Sequence, residues 1–265
     1  MRVADEALDP ADYFTDPAAH ARYSRSQFAG LRLFPTMGWA LNRLAFHPDL
    51  VDLAERYLDT DDLQLYKCEI WAKYAGAIDY DQPHHRDFGN HSLVVPRTDD
   101  IGTQLTCFIL LSDVTELDGP TAVVPIGHSA HISMVPVDTE PDWPLSVPRG
   151  TFADVEVPVT GAAGSLFVHR TDVFHRGTDF DEPERSRFAL LADYQARGPA
   201  WAGKMAWPNQ AQHPGFVEVI ERATVRERDV FDFPRPGDPY WNRQTLDGVQ
   251  RRYPNMDMTP YGTVD

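Results

Sequence analysis

The chain has 265 residues, 42% of them hydrophobic, which suffices for a substantial core within one folded unit. Its 40 acidic and 24 basic residues give a formal net charge of −16, which argues against broad contact with nucleic acid or an anionic membrane. No stretch approaches the ~20 apolar residues of a membrane-spanning helix.

The first 16 residues are acidic and lack the apolar centre of a secretory signal. The only two cysteines, Cys68 and Cys107, each sit in an apolar run. They read as buried free thiols in a reducing compartment, so a cytoplasmic protein is expected. A helical front is expected over residues 17–57, with Asp16-Pro17 and His47-Pro48 as start signals. His47-Pro48-Asp49 also spells H-x-D. Proline at the first helical position and acid in the first turn are helix-start chemistry, so His47 reads as structural.

Strands are expected to dominate from there to residue 194. Residues 63–73 have strand character, and residues 91–96 form a short β-rich run. Between them lie Gln82, Pro83, His84, His85, Arg86 and Asp87. In an extended segment, side chains two apart share a face. His85 and Asp87 therefore chelate one ion together while His84 and Arg86 turn away. The letters from His85 to Gly89 imitate two protein-kinase signatures. The asparagine that chemistry requires is Ser92 here, and no G-x-G-x-x-G loop precedes it, so the kinase reading fails. Residues 103–111 read as a core strand. Residues 131–157 are Pro-rich and acidic and include Trp143 and Arg149; a loop this long on a rigid scaffold suits a lid or a substrate wall.

The rest of the site comes ninety residues after the first histidine. Residues 164–168 read as a buried strand reached through a glycine turn. The chain then passes His169 and Asp172 to reach His175, and Arg187 heads an apolar strand over 188–194. Two imidazoles and one carboxylate are what a mononuclear non-haem Fe(II) site requires. An arginine fork grips the far end of an acidic co-substrate better than lysine does. Arg185 competes with Arg187 for that task, since alternation puts both on one face; Arg187 is preferred because it abuts the apolar strand. Asp172 lacks a partner histidine two residues away; His84, His91 and His169 carry no assigned role, and His128 reads as structural.

These residues resemble the phytanoyl-CoA dioxygenase-like family of Fe(II)/2-oxoglutarate oxygenases. The resemblance covers about half the chain, from Leu63 to Tyr194. It is carried by Q-x-x-H-x-D at Gln82 to Asp87, by the stretch Asp118 to Ser129, and by the His175/Arg187 pair. The middle stretch is similar to that family's G-x-T-x-x-x-P-G-S-H pattern, with Ile126-Gly127 where Gly-Ser is usual. The resemblance implies a mostly β fold with flanking helices, a double-stranded β-helix (jelly-roll, cupin-like) barrel. It implies His85, Asp87 and His175 as the catalytic iron ligands, Arg187 on the distal carboxylate of 2-oxoglutarate, and Gln82 and Thr121 in contact with the co-substrate. Three facial ligands leave three positions on an octahedral ion. A 2-oxo acid would fill two and O2 the third, with succinate and CO2 as products. Related halogenases replace the carboxylate ligand with a small residue, so Asp87 implies hydroxylation or another oxygenase outcome.

One domain is expected over 1–265: a helical part over 17–60, a barrel core over 63–195, and a C-terminal part over 196–265 with a helix at 215–226. Trp201, Trp207, Tyr240 and Trp241 either wall an apolar pocket, with Arg243 or Arg251 nearby, or pack the tail onto the barrel. The expected partner is a small, largely apolar organic molecule. The competing readings are a cupin-type metalloenzyme that uses no 2-oxo acid and a non-catalytic barrel that serves as a binding module. Arg187 and the intact triad weigh against both.

Overall fold

A computed structural model describes residues 10–87, 101–143, 145–198 and 213–262. Its strands are β1 (Leu31–Leu33), β2 (Leu63–Tyr74), β3 (Gln104–Leu110), β4 (Thr121–Val123), β5 (Val157–Pro158), β6 (Leu166–Arg170), β7 (His175–Gly177) and β8 (Ser186–Ala196). Five of them form an antiparallel sheet in the order β1-β2-β8-β3-β6, and three form a second in the order β5-β4-β7. An isolated antiparallel bridge between His85 and His175 extends the second sheet by one more extended segment. The pairings nest: β2 with β8, the His85 segment with β7, β3 with β6, β4 with β5. Joining first to last and working inward is how one long hairpin rolls into a jelly roll, so the fold is the double-stranded β-helix expected from the sequence.

The large sheet has two chemically different faces because of a bulge. The β2–β8 register shifts between Leu65 and Lys67, leaving Tyr66 as an extra residue. Leu63 and Leu65 before the bulge, and Cys68 and Ile70 after it, join the main hydrophobic core with Leu190, Ala192 and Tyr194 of β8. Lys67, Glu69, Trp71 and Lys73 alternate to the opposite, inner face. Without the extra residue, the two halves of β2 would present opposite patterns to the core.

The helices are α1 (Pro10–Thr15), α2 (Pro17–Tyr23), α3 (Trp39–Asn42), α4 (Pro48–Leu58), α5 (Ile126–Ser129), α6 (Pro214–Arg222), α7 (Val225–Asp229) and α8 (Arg243–Arg252), and all but α5 pack with the outer face. Asp16 caps α2 by accepting from the Ala18 N–H, and the His47 ring caps α4 by accepting from the Asp49 N–H. Both are helix starts that the sequence signals, and His47 is structural. Helix α4 buries Leu50, Val51 and Ala54 in the main core, and Tyr194 donates from its hydroxyl to the Ala45 carbonyl at 2.9 Å. The ring of Tyr74 stacks on Tyr13 at 4.2 Å and meets Tyr23 edge-on at 4.7 Å, which fastens the first helices to the end of β2.

Two expectations change. The front is not wholly helical, because β1 pairs with β2 and lengthens the large sheet. The helix expected over 215–226 breaks in two: Ala223 is extended, and Thr224 opens α7 with a reciprocal capping box to Glu227. Cys68 and Cys107 are buried free thiols, and among the described residues no helix is long and apolar enough to cross a membrane. The run at 91–96, with His91, and Trp201 and Trp207 lie outside the described residues.

Strand β1 packs against β2 through Gly30, where a Cβ would sit 1.8 Å from the Ala72 carbonyl oxygen. Gly30→Ala is therefore expected to cost about 1–3 kcal/mol, as overpacking does, measured as a lower urea midpoint. An unchanged midpoint would show that β1 is not held this closely.

Candidate metal and co-substrate site

His85 and His175 are brought together by backbone, before any side chain is considered. Each donates its N–H to the carbonyl of the other, at 2.9 and 3.0 Å. An antiparallel pair bonded in both directions puts both side chains on one face. The ring centroids are 4.7 Å apart, and Asp87, two residues along from His85, turns to the same side. Asp87 Oδ1 lies 3.4 Å from His175 Nε2 and 3.8 Å from His85 Nε2, and one ligand atom from each of the three lies within 4.8 Å of the others. This is the one such group of metal-ligating side chains among the described residues.

The donor set suits a divalent iron. His85 Nδ1 lies 2.9 Å from the Pro83 carbonyl and His175 Nδ1 lies 3.2 Å from the Val173 carbonyl. A carbonyl only accepts, so each Nδ1 carries the proton and each Nε2 lone pair points at the shared centre. Burial, reinforced by the neighbouring His175, holds His85 down at about 4, so it is neutral and ready to ligate. For His175 burial works in the same direction but is outweighed by the Asp87 carboxylate, and its pKa is raised.

As expected from alternation, the flanking side chains turn away. His84 Nε2 meets Glu156 at 2.8 Å. Arg86 lies over the Phe174 ring at 3.9 Å and donates to the Asp172 and Ser133 carbonyls. Asp172 is paired with Arg170 and takes no part in the triad. His128 is exposed on α5. His169 is buried beside His175, with its ring 5.1 Å away.

The triad opens into a cavity of about 280 Å³ between the two sheets. Gln82, Thr121, Gly177 and Trp71 line it on one side; Phe28, Leu31, Trp143, Phe108 and Leu191 give it apolar walls; Lys67, Glu69 and His169 complete the lining. Trp143 comes from the long Pro-rich loop and packs against His85 at 5.7 Å, so that loop does supply a wall. Phe28 and Leu31 come from the front of the chain. Trp241 instead packs with Phe233 and Tyr261 beside the main core, and neither it nor Tyr240 is among the cavity walls.

Arg187 lies just behind that lining. It is 1% exposed, and its Nη1 donates to the Gly119 carbonyl at 2.5 Å and approaches Thr121 Oγ1 at 3.4 Å. Its Nε has no partner, and burial pushes its pKa down to about 10. Arg185, the competitor, is engaged at the surface with Glu182 and Asp118. Gln82 accepts from the Gly177 N–H at 2.9 Å and donates to Gln27 at 2.6 Å. A buried guanidinium with no carboxylate paired to it among the described residues is a site in want of an anion, which suits the distal end of a 2-oxo dicarboxylate.

Sequence reasoning missed Lys67, Glu69, Lys73 and Asp193. All four lie on the inner face of the β2–β8 ladder, buried, with Lys67 bridging Glu69 at 3.0 Å and Asp193 at 3.4 Å. The signal was present: three charges at odd positions of a strand otherwise apolar enough to be wholly buried.

The phytanoyl-CoA dioxygenase (PhyH) family model matches residues 7–181, a span that holds the whole triad. The chain belongs to this family. The family match favours an iron enzyme that uses 2-oxoglutarate and O2 over both the cupin without a 2-oxo acid and the inert barrel. No curated protein matches the chain. Among solved structures it overlaps EvdMO1 at 21% identity over 61% of this chain and 33% of that one, TM-score 0.44. It overlaps the epimerase SnoN, solved in complex with Fe3+, alpha ketoglutarate and nogalamycin RO, at 23% identity over 73% and 77%, TM-score 0.47. For EvdO2 from Micromonospora carbonacea var. aurantiaca the figures are 16%, 66% and 69%, TM-score 0.49. The chain thus spans 33% of the length of EvdMO1. Family membership rests on the sequence match and not on these overlaps.

His85→Ala and Asp87→Ala are each expected to abolish stoichiometric Fe(II) binding, read by metal analysis after anaerobic loading, with the circular dichroism spectrum retained. Full metal content in either variant would remove that residue from the ligand set.

Proposed function

We propose that this PhyH-family enzyme oxidises a C–H bond of a small, largely apolar organic molecule, by hydroxylation or a related outcome, with release of succinate and CO2. The observation that carries the reading is a single cavity with the triad at its centre, aromatic and aliphatic walls, and a buried unpaired cation behind Thr121 and Gly177. In this reading His85, Asp87 and His175 hold the iron, Arg187 takes the distal carboxylate of 2-oxoglutarate, and Gln82 and Thr121 flank it. Iron with 2-oxoglutarate and O2 supplies the oxidising power, and the protein supplies orientation and a dry site.

The division of labour among the side chains follows from their surroundings. The Pro83 and Val173 carbonyls fix both imidazole rings through Nδ1, so neither ring swings when the centre changes charge. Gln82 is held at both ends, by the Gly177 N–H and by Gln27, and keeps a defined amide orientation against the co-substrate. Phe28, Leu31 and Trp143 exclude water on the side where an apolar substrate would lie. The Lys67–Glu69 pair on the same wall offers a polar anchor to a substrate that carries a hydrogen-bonding group. Among the described residues, no cluster of basic side chains suited to the phosphates of an acyl-CoA supports that substrate.

The test is anaerobic titration of the Fe(II)-loaded protein with 2-oxoglutarate, followed by the weak visible charge-transfer band of the chelate. Arg187→Ala is expected to raise the concentration needed for half-saturation by roughly tenfold or more, the worth of one charge-assisted hydrogen bond or more. An unchanged titration would move the anchor elsewhere, and no band in the wild type with iron bound would sink the co-substrate reading.

A further inference from the structure

Lys73 stands out among the buried groups. It is fully buried, and its Nζ has no hydrogen-bond partner. The ammonium lies 4.6 Å from the centre of the Trp71 ring and 4.8 Å from that of Tyr80. Directly across the ladder its partner is Arg187, so both long cations project from neighbouring strands onto the inner face. Among the described residues neither has a carboxylate in ion-pair contact, and the nearest acids that act on Lys73, Asp179 and Asp81, influence it less than Arg187 does. Burial and the adjacent guanidinium together hold its pKa well below the ordinary ammonium value.

Two like charges side by side in a dry interior are costly, and each alone would be costly enough. Such an arrangement persists where something beyond the described residues supplies the countercharge. The cavity wall shows where it would enter. A Cβ on Gly177 would stand 2.8 Å from Lys73 Nζ and 3.0 Å from Gln82 Oε1, so the absence of a side chain there leaves the ammonium next to the lining. Gly177 pairs with Thr121, whose hydroxyl approaches Arg187. Gly177 also lies two residues beyond His175 on the same strand and face, about 6.6 Å along at ~3.3 Å per residue.

We propose that Lys73 is a second cation of the co-substrate pocket and, with Arg187, forms a two-cation receptor for the distal carboxylate of 2-oxoglutarate. The inference rests on the co-substrate reading above and adds to it a residue on a different strand. Charge neutralisation explains why β2 carries a lysine at a fully buried position. It also assigns the two cations complementary tasks: Arg187 sets direction through its planar fork, and Lys73 adds a compact charge free to adjust.

The experiment compares two ligands on the full-length protein, loaded with Fe(II) under anaerobic conditions, by isothermal titration calorimetry. One is 2-oxoglutarate; the other is 2-oxopentanoate, which keeps the chelating end and the five-carbon chain but lacks the distal carboxylate. Lys73→Met is expected to weaken 2-oxoglutarate by roughly ten- to a hundredfold and leave 2-oxopentanoate unchanged. In the absence of ligand the same variant is expected to melt at a higher temperature than wild type, because it removes a buried polar group left without a hydrogen bond. A merely structural lysine would give the opposite pattern, a lower melting temperature with both ligands weakened alike, and would overturn the proposal. Full retention of the preference for 2-oxoglutarate would overturn it too. Lys73→Gln, which is shorter and polar, carries the same ligand expectation should the methionine variant not fold. A wild type that shows no preference between the ligands would instead defeat the co-substrate reading itself.

Discussion

The reciprocal pair of backbone hydrogen bonds between His85 and His175 is the constraint on which the site depends. It joins two segments ninety residues apart at the single point where both must present an imidazole to the same centre. Because the pair is antiparallel and bonded in both directions, the side chains cannot diverge without breaking the ladder. The Nδ1 contacts to Pro83 and Val173 then fix ring rotation. Asp87 follows two residues along and stands at a turn, with its carboxylate near both imidazoles. The two histidines are thus set by backbone pairing, while the carboxylate is placed by the turn that follows.

The bulge at Tyr66 does for the large sheet what that bridge does for the small one. It lets a twelve-residue strand place leucines against the helical layer at its start and still keep Cys68, Ile70 and Ala72 outward afterwards. The inner face is thereby free to carry charge. That face would be unstable as a protein interior in its own right: Lys67, Glu69, Asp193, Lys73 and Arg187 are all buried. The helical core of Phe34, Phe46, Leu190, Phe216 and Phe231, with each such side chain contributing about 1.5–3 kcal/mol, supports a cavity wall chosen for chemistry over packing.

Most of the barrel was legible in the sequence, because its strands carry apolar alternation and its candidate metal ligands carry spacing. His85, Asp87 and His175 could be found from two short motifs, and the family resemblance ordered them. Strand β1 could not: three residues with a mixed pattern become a strand only because β2 offers them an edge. The break between α6 and α7 was visible only as Thr224 followed by Glu227, a capping box inside an otherwise continuous helical run. The aromatic wall was sought at Tyr240 and Trp241, whereas Phe28 and Trp143 provide it. Aromatics announce burial but not address, and which surface they bury against is decided by topology.

The inner face also separates charge along its length. At one end of the β2–β8 ladder, Lys73 and Arg187 stand opposite each other without a carboxylate. Six residues back along β2, about 20 Å at ~3.3 Å per residue, Lys67 is shared between Glu69 and Asp193. One end therefore carries an excess of positive charge and the other an excess of negative, and Asp87 of the triad acts on the Lys67–Glu69 end. Low-dielectric walls strengthen both fields. A dicarboxylate entering this cavity is drawn to the cationic end and repelled from the acidic one. The second organic molecule is left the apolar side near Phe28 and Leu31, where an anionic group facing Glu69 would be disfavoured. In the proposed reading the cavity would thus sort its two organic ligands by charge before shape is consulted, and a neutral or cationic substrate would suit it better than an acid.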